Sequence, residues 1–219
     1  GMVAVVKDLK EWNDAVNAFR NKHHLHRPAF KKANFATVAA VVLVCVMLET
    51  VLNGYLFAQR NALGLLGGAL IALLVSVVNV ALSGLCGHFA KLIGHRSILL
   101  KAIGFSILAA WIASTLFYNL AVAHFRDAIE SLGEWAEAAE ASLAGLIATP
   151  FSLASIESWL LMAWGVLIAV VMFLKFVFQG EYYLGYPRVD RGLRTSLDQY
   201  EGHLDAALED LKERRDQAV

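Results

Sequence analysis

The sequence predicts an all-α integral membrane protein. Four transmembrane helices are flanked by cytoplasmic N- and C-terminal heptad-patterned helices, with one extracytoplasmic amphipathic helix between the third and fourth spans. Three observations lead there. The 219-residue chain is 58% hydrophobic and only 17% charged, whereas soluble domains carry roughly 25% charged residues. Its apolar residues fall in uninterrupted blocks, and its mean hydropathy is +0.55. Its lysines and arginines alternate from one connection to the next, although the net charge is zero.

A cytoplasmic amphipathic helix is expected over 2–33. Val5, Leu9, Trp12, Val16 and Phe19 recur at alternating steps of four and three residues, a heptad seam that His23 and His26 extend to Pro28. The first apolar block, 35–57, is long enough to cross a hydrocarbon core about 30 Å thick. The blocks at 62–86, 98–123 and 156–178 meet the same requirement, and each as a helix keeps its backbone hydrogen bonds internal. "AQRNA" between the first two allows only a tight antiparallel hairpin.

Orientation follows from the basic flanks. Lys7, Lys10, Arg20, Lys22, Arg27, Lys31 and Lys32 precede the first span; Arg60 alone lies in the first loop. Lys91, Arg96 and Lys101 occupy the second connection, and Lys175, Arg188, Arg191 and Arg194 lie at or after the end of the fourth span. Both termini are therefore expected in the cytoplasm, across what reads as a bacterial inner membrane. Lys101 and Lys175, near the inner boundary, read as snorkelling anchors.

The segment 124–154 carries one base, Arg126, against Asp127, Glu130, Glu134, Glu137 and Glu140. It reads as a single amphipathic helix with Ile129, Leu132, Ala136, Ala139 and Leu143 on one face and the glutamates on another. The acidic face fits solvent, or a cation-concentrating ring at the mouth of an oligomer. The final segment, 179–219, reads as a cytoplasmic helix with Leu193, Leu197, Tyr200, Leu204, Ala207 and Leu211 on its seam. It is acidic where the N-terminal helix is basic, so the two are expected to pair, within or between subunits.

Polar residues inside the spans carry the functional signal. Gly64, Gly68, Ala72, Ser76, Asn79, Ser83 and Gly87 follow one another at steps of three or four residues down the second span. Small residues let helix backbones approach in lipid, and Ser or Asn can hydrogen-bond across the interface. The stripe thus serves helix packing or lines a narrow polar path. In the first span Glu49 and Asn53 share a face, and an ionisable group at that depth is costly, interior-facing and functional by default. At comparable depth the third span offers Ser114 and Thr115, with Asn119 a turn further out.

Two functions are expected from these residues. One is a homo-oligomeric, cation-favouring pore or ion-channel-like protein, with Glu49 and the Asn79 stripe along a path between subunits. The other is a membrane-embedded scaffold or signalling subunit that recruits a protein partner through its cytoplasmic helices. Four spans are too few for the usual inverted-repeat transporter. No enzyme is expected, because hydrolase, zinc-peptidase and phosphate-loop motifs are missing. No cofactor, metal or nucleic acid is expected either. His88 and His95 lack acidic or cysteine partners at ligand spacing, Cys45 and Cys86 lie in apolar blocks, and positive-inside bias accounts for the basic N-terminal helix.

Overall fold

The computed structural model describes residues 2–30, 34–58, 64–183 and 185–217. Lys31, Lys32 and the 59–63 connection with Arg60 lie outside the described residues. Among those described, the chain is helical without strands: α1 (Met2–His23), α2 (Phe35–Ala58), α3 (Gly64–Ala90), a 3-10 turn (Lys91–Gly94), α4 (Ile98–Leu132), α5 (Trp135–Ala148), α6 (Ile156–Val177) and α7 (Tyr186–Gln217). Four helices, α2, α3 (with its 3-10 turn), α4 and α6, are long and apolar enough to span a membrane.

Two compact units divide the chain: residues 33–179, and residues 1–32 together with 180–219. In the first, α3 and α6 touch each other and both flanking helices, α2 and α4. α2 and α3 run antiparallel, since Gly68 meets Ala58 and Gly54 while Glu49 meets Asn79. α3 and α6 run parallel, with Asn79 on Gly165 and Gly87 on Phe173. Asn34 opens α2 by accepting from the Ala36 N–H at 3.0 Å, and Ser155 opens α6 by accepting from the Ser158 N–H at 3.2 Å.

The exposure pattern of this unit is inverted relative to a water-soluble fold. Val51 is 72% exposed and Leu74 68%, whereas Glu49 and Ser76 are at 0% and Asn53, Asn79 and Asn119 at 1%. Apolar surroundings suit those leucines and valines, and Glu49, Asn79 and Asn119 bond one another inside. Apolar layers fill the remaining interior. Phe57, Ile71, Ala72, Val122, Ala123 and Leu161 pack toward the α5 end, and Trp111 stacks on Phe173 at 3.8 Å toward the other.

The segment expected to form one external helix is two. α4 runs on to Leu132, and Gly133 then takes a left-handed conformation, φ 76°, donating its N–H to the Ile129 carbonyl at 3.1 Å. α5 folds back on α4, burying Ala138 with Ala128 and Ile129 and setting Trp135 edge-on to Phe125. The expected continuous face is therefore broken: Ile129 is buried, whereas Leu132 and Leu143 are exposed.

In the second unit α1 packs antiparallel on α7 of the same chain. Phe19 stacks on Tyr186 with centroids 5.2 Å apart, and Trp12 lies against Gly192, where a Cβ would overlap its ring. α1 stops at His23, five residues short of Pro28, because His24 turns left-handed with φ 51°. The following loop is pinned by Glu181, a buried residue that sequence periodicity passes over. Arg27 clasps its carboxylate through two bonds of 2.8 and 2.7 Å, and the Phe30 N–H adds a third at 3.0 Å.

Burial pushes Glu181 up, but the Arg27 hydrogen bonds, the backbone N–H donors and the Arg27 charge outweigh it and hold the carboxyl below its ordinary value. A carboxyl titrating lower in the folded than in the unfolded chain contributes stability above its unfolded value. That contribution disappears as pH falls through the folded value. Glu181→Gln is expected to cost about 2 kcal/mol of local stability near neutral pH. Hydrogen exchange at Leu25, Phe30, Tyr182 and Tyr183, corrected for intrinsic rate, should show lost protection. The wild type should lose the same protection only below the ordinary glutamate range. Protection indifferent to both changes would remove the clasp from the account.

Candidate functional site

Each of the four long helices supplies one group to a buried cluster at mid-bundle. The Asn79 amide of α3 donates to Glu49 Oε1 of α2 at 2.8 Å and to the Gly165 carbonyl of α6 at 2.8 Å. Asn119 of α4 donates to Asn79 Oδ1 at 3.4 Å and to its own helix at the Thr115 carbonyl at 2.9 Å. Asn79 is thus the hub, with both N–H groups and its carbonyl engaged. Gly165 makes room: a Cβ there would overlap Asn119 Oδ1 and come within 3.6 Å of Glu49 Oε1. A helix carbonyl is reachable because glycine leaves the backbone bare.

One helical turn toward the α5 end, Asn53 of α2 and Ser76 of α3 are also buried. Thr115 is buried one turn the other way on α4. Four oxygens of this set, Glu49 Oε2, Asn53 Oδ1, Ser76 Oγ and Thr115 Oγ1, have no hydrogen-bond partner among the described residues. Ser114, Ser131 and Ser142 behave differently, each returning its hydroxyl to the carbonyl three residues back. Local return bonds of that kind are the ordinary resting place of a helical serine.

Ser83 takes a different partner, accepting from Trp111 Nε1 at 3.2 Å. The stripe on α3 serves three neighbours, Ser83 and Asn79 meeting α4. Gly68 and Ala72 face α2, whereas Gly87 faces α6, where a Cβ would overlap the Phe173 carbonyl. Gly64 does not pack as expected. It begins α3 at φ 55°, with no described residue within 4 Å of a Cβ built there. The glutamates expected on one outer face are distributed differently. Glu130 lies on α4, 3.0 Å from Arg126; Glu134 precedes α5; Glu137 and Glu140 are exposed on α5.

Arg126 has more than a flanking role. Only 2% exposed, it donates to the Ser155 and Ser158 hydroxyls. Asp127 accepts from those hydroxyls at 2.8 and 2.6 Å and from the Ala154 N–H at 2.8 Å. This network ties the end of α4 to the N-terminus of α6, and its sequence signal is the Ser-x-x-Ser pattern opening the apolar run at 156. Gly165 carries no such signal, being one glycine in an apolar span.

Chemically, the cluster is an oxygen-rich site with one carboxyl group and amide donors, held in low dielectric. It suits a proton or a hard cation. Among the described residues, no three His, Cys, Asp or Glu side chains come together as metal ligands. Comparison with protein-family models, with curated proteins and with solved structures finds no match for this chain.

Proposed function

We propose that the protein is a homo-oligomeric, cation-favouring membrane conductance in which each protomer's own bundle carries the ion-selecting groups. The carrying observation is the Glu49 carboxyl, fully buried at mid-bundle with one oxygen on Asn79 and the other unpartnered. A lone acid held there lowers the energy of a cation or proton crossing the low-dielectric core, and it repels anions. The Glu49–Asn79 pair lies within one chain, so the proposed path runs through the bundle and not along a subunit boundary. The basic flanks support a bacterial inner membrane with both termini cytoplasmic.

Purified protein in liposomes should pass monovalent cations in preference to chloride. Glu49→Gln should reduce the flux at least tenfold or abolish the preference, since one lost charge interaction of about 1.4 kcal/mol is worth that factor. Wild-type liposomes that hold their gradients would sink this reading. The second reading, a scaffold, is favoured by α7: every residue from Glu201 to Gln217 is exposed, including Leu204, Leu208 and Leu211. It predicts no flux, together with loss of a cytoplasmic complex on deleting 190–219.

A further inference from the structure

We infer that the bundle binds one small, hard monovalent cation of the sodium class, with Glu49 Oε2 as the charged ligand and Asn53 Oδ1 and Ser76 Oγ as neutral ones. This deepens the conductance reading by naming the ion, and it rests on that reading only in placing a cation inside the bundle.

Asn79 spends its two N–H groups on Glu49 Oε1 and the Gly165 carbonyl, leaving Oε2 without a donor. Asn53 lies four residues beyond Glu49 on the same face of α2, and Ser76 lies three residues before Asn79 on α3. Because those helices are antiparallel, both offsets run toward the α5 end, by roughly 6 and 4.5 Å of helical rise. The three unpartnered oxygens therefore belong to residues within roughly one helical turn of one another along the packed α2 and α3, and all three residues are at most 1% exposed.

All three atoms are oxygens, which selects hard cations over zinc or copper. Glu49 is the one ionisable group of the cluster, so its carboxylate together with a monovalent ion is neutral, whereas a divalent ion would bury an uncompensated charge. A side-chain set this small, completed by water, suits a compact ion better than potassium. Thr115 Oγ1 is also unpartnered among the described residues, but on α4 it lies one helical turn from Asn119 in the direction away from the α5 end, opposite to the offsets of Asn53 and Ser76.

The test uses the full chain in detergent, melted in chlorides of sodium, lithium, potassium or choline at fixed pH and ionic strength. Sodium should raise the melting temperature by about 4 °C over choline at a concentration well above the dissociation constant. Potassium should do less. Ser76→Ala should need several-fold more sodium for the same rise, and Thr115→Val should keep the wild-type midpoint. Glu49→Gln should abolish the rise, and Ser76→Ala keeps the test decisive where that variant fails to fold. Identical melting in sodium and choline overturns the site, as do equal effects of potassium and sodium or a Thr115→Val shift matching that of Ser76→Ala. Sodium-dependent melting without liposome flux would remove the conductance and keep the site. Flux with melting indifferent to sodium would do the reverse.

Discussion

Gly68→Leu is expected to abolish correctly packed protein, with monodisperse material after detergent gel filtration falling at least tenfold. Even the first carbon of a side chain at this position would sit 2.5 Å from the Gly54 carbonyl oxygen, 2.6 Å from the Ala58 nitrogen and 2.8 Å from its Cα. All three are backbone atoms of α2, so no side-chain rotation relieves the collision. Overpacking against movable side chains costs about 1–3 kcal/mol; against a helix backbone the helices must separate. Separation would also pull Glu49 from Asn79, further down the same seam. Gly202→Leu is the control, because nothing lies within 4 Å of a Cβ there. A Gly68→Leu protein that purifies and melts like wild type would show that α2 and α3 do not approach this closely.

That contact was half legible in sequence. The stripe from Gly68 to Gly87 stands out because small and polar residues recur at helical spacing among leucines and valines. Hydropathy blocks likewise reveal four helices, since twenty apolar residues in a row have few other uses. Spacing cannot say which neighbour a stripe meets. Gly68 faces α2 and Gly87 faces α6, a division set by how the helices cross. Glu49, Asn53, Ser76, Asn79 and Asn119 were each visible as costly groups in an apolar run. Gly165 was invisible, because its contribution is a bare carbonyl and the space beside it. Gly133 could have been read as a helix stop, but the periodicity of its apolar neighbours runs smoothly through it. The left-handed Gly133 and the extended Glu134 after it separate α4 from α5. Glu181 and Arg27 were hidden for a third reason: two loops 154 residues apart carry no periodicity, and their pairing is purely tertiary.

Asn79→Leu should produce the second large effect, lowering the melting temperature by about 10 °C. The substitution removes the amide that bonds Glu49, Gly165 and Asn119 together. Two magnitudes compete here. Interhelical hydrogen bonds in membranes average only about 0.6 kcal/mol, because the separated helices find other partners. Removing one partner of a buried charged group costs about 3–5 kcal/mol, because the group left behind is uncompensated. Glu49 is the deciding residue: its carboxyl is fully buried, and Oε2 already lacks a partner, so loss of Asn79 strips its amide donor. The larger figure should win, and about 3 kcal/mol corresponds to roughly 10 °C in a chain of this size. The same reasoning predicts the double variant. Glu49→Leu with Asn79→Leu removes the orphaned carboxyl together with its donor, and matched apolar replacement of a buried polar pair is often neutral. Much of the lost melting temperature should return, while any sodium dependence should not. Additive losses in the two single variants and the pair would mean that Asn79 packs the bundle without holding Glu49. Recovery in the pair would mean that the bundle bears a cost in stability to keep a carboxyl at its centre, which a purely structural seam gives no reason to do.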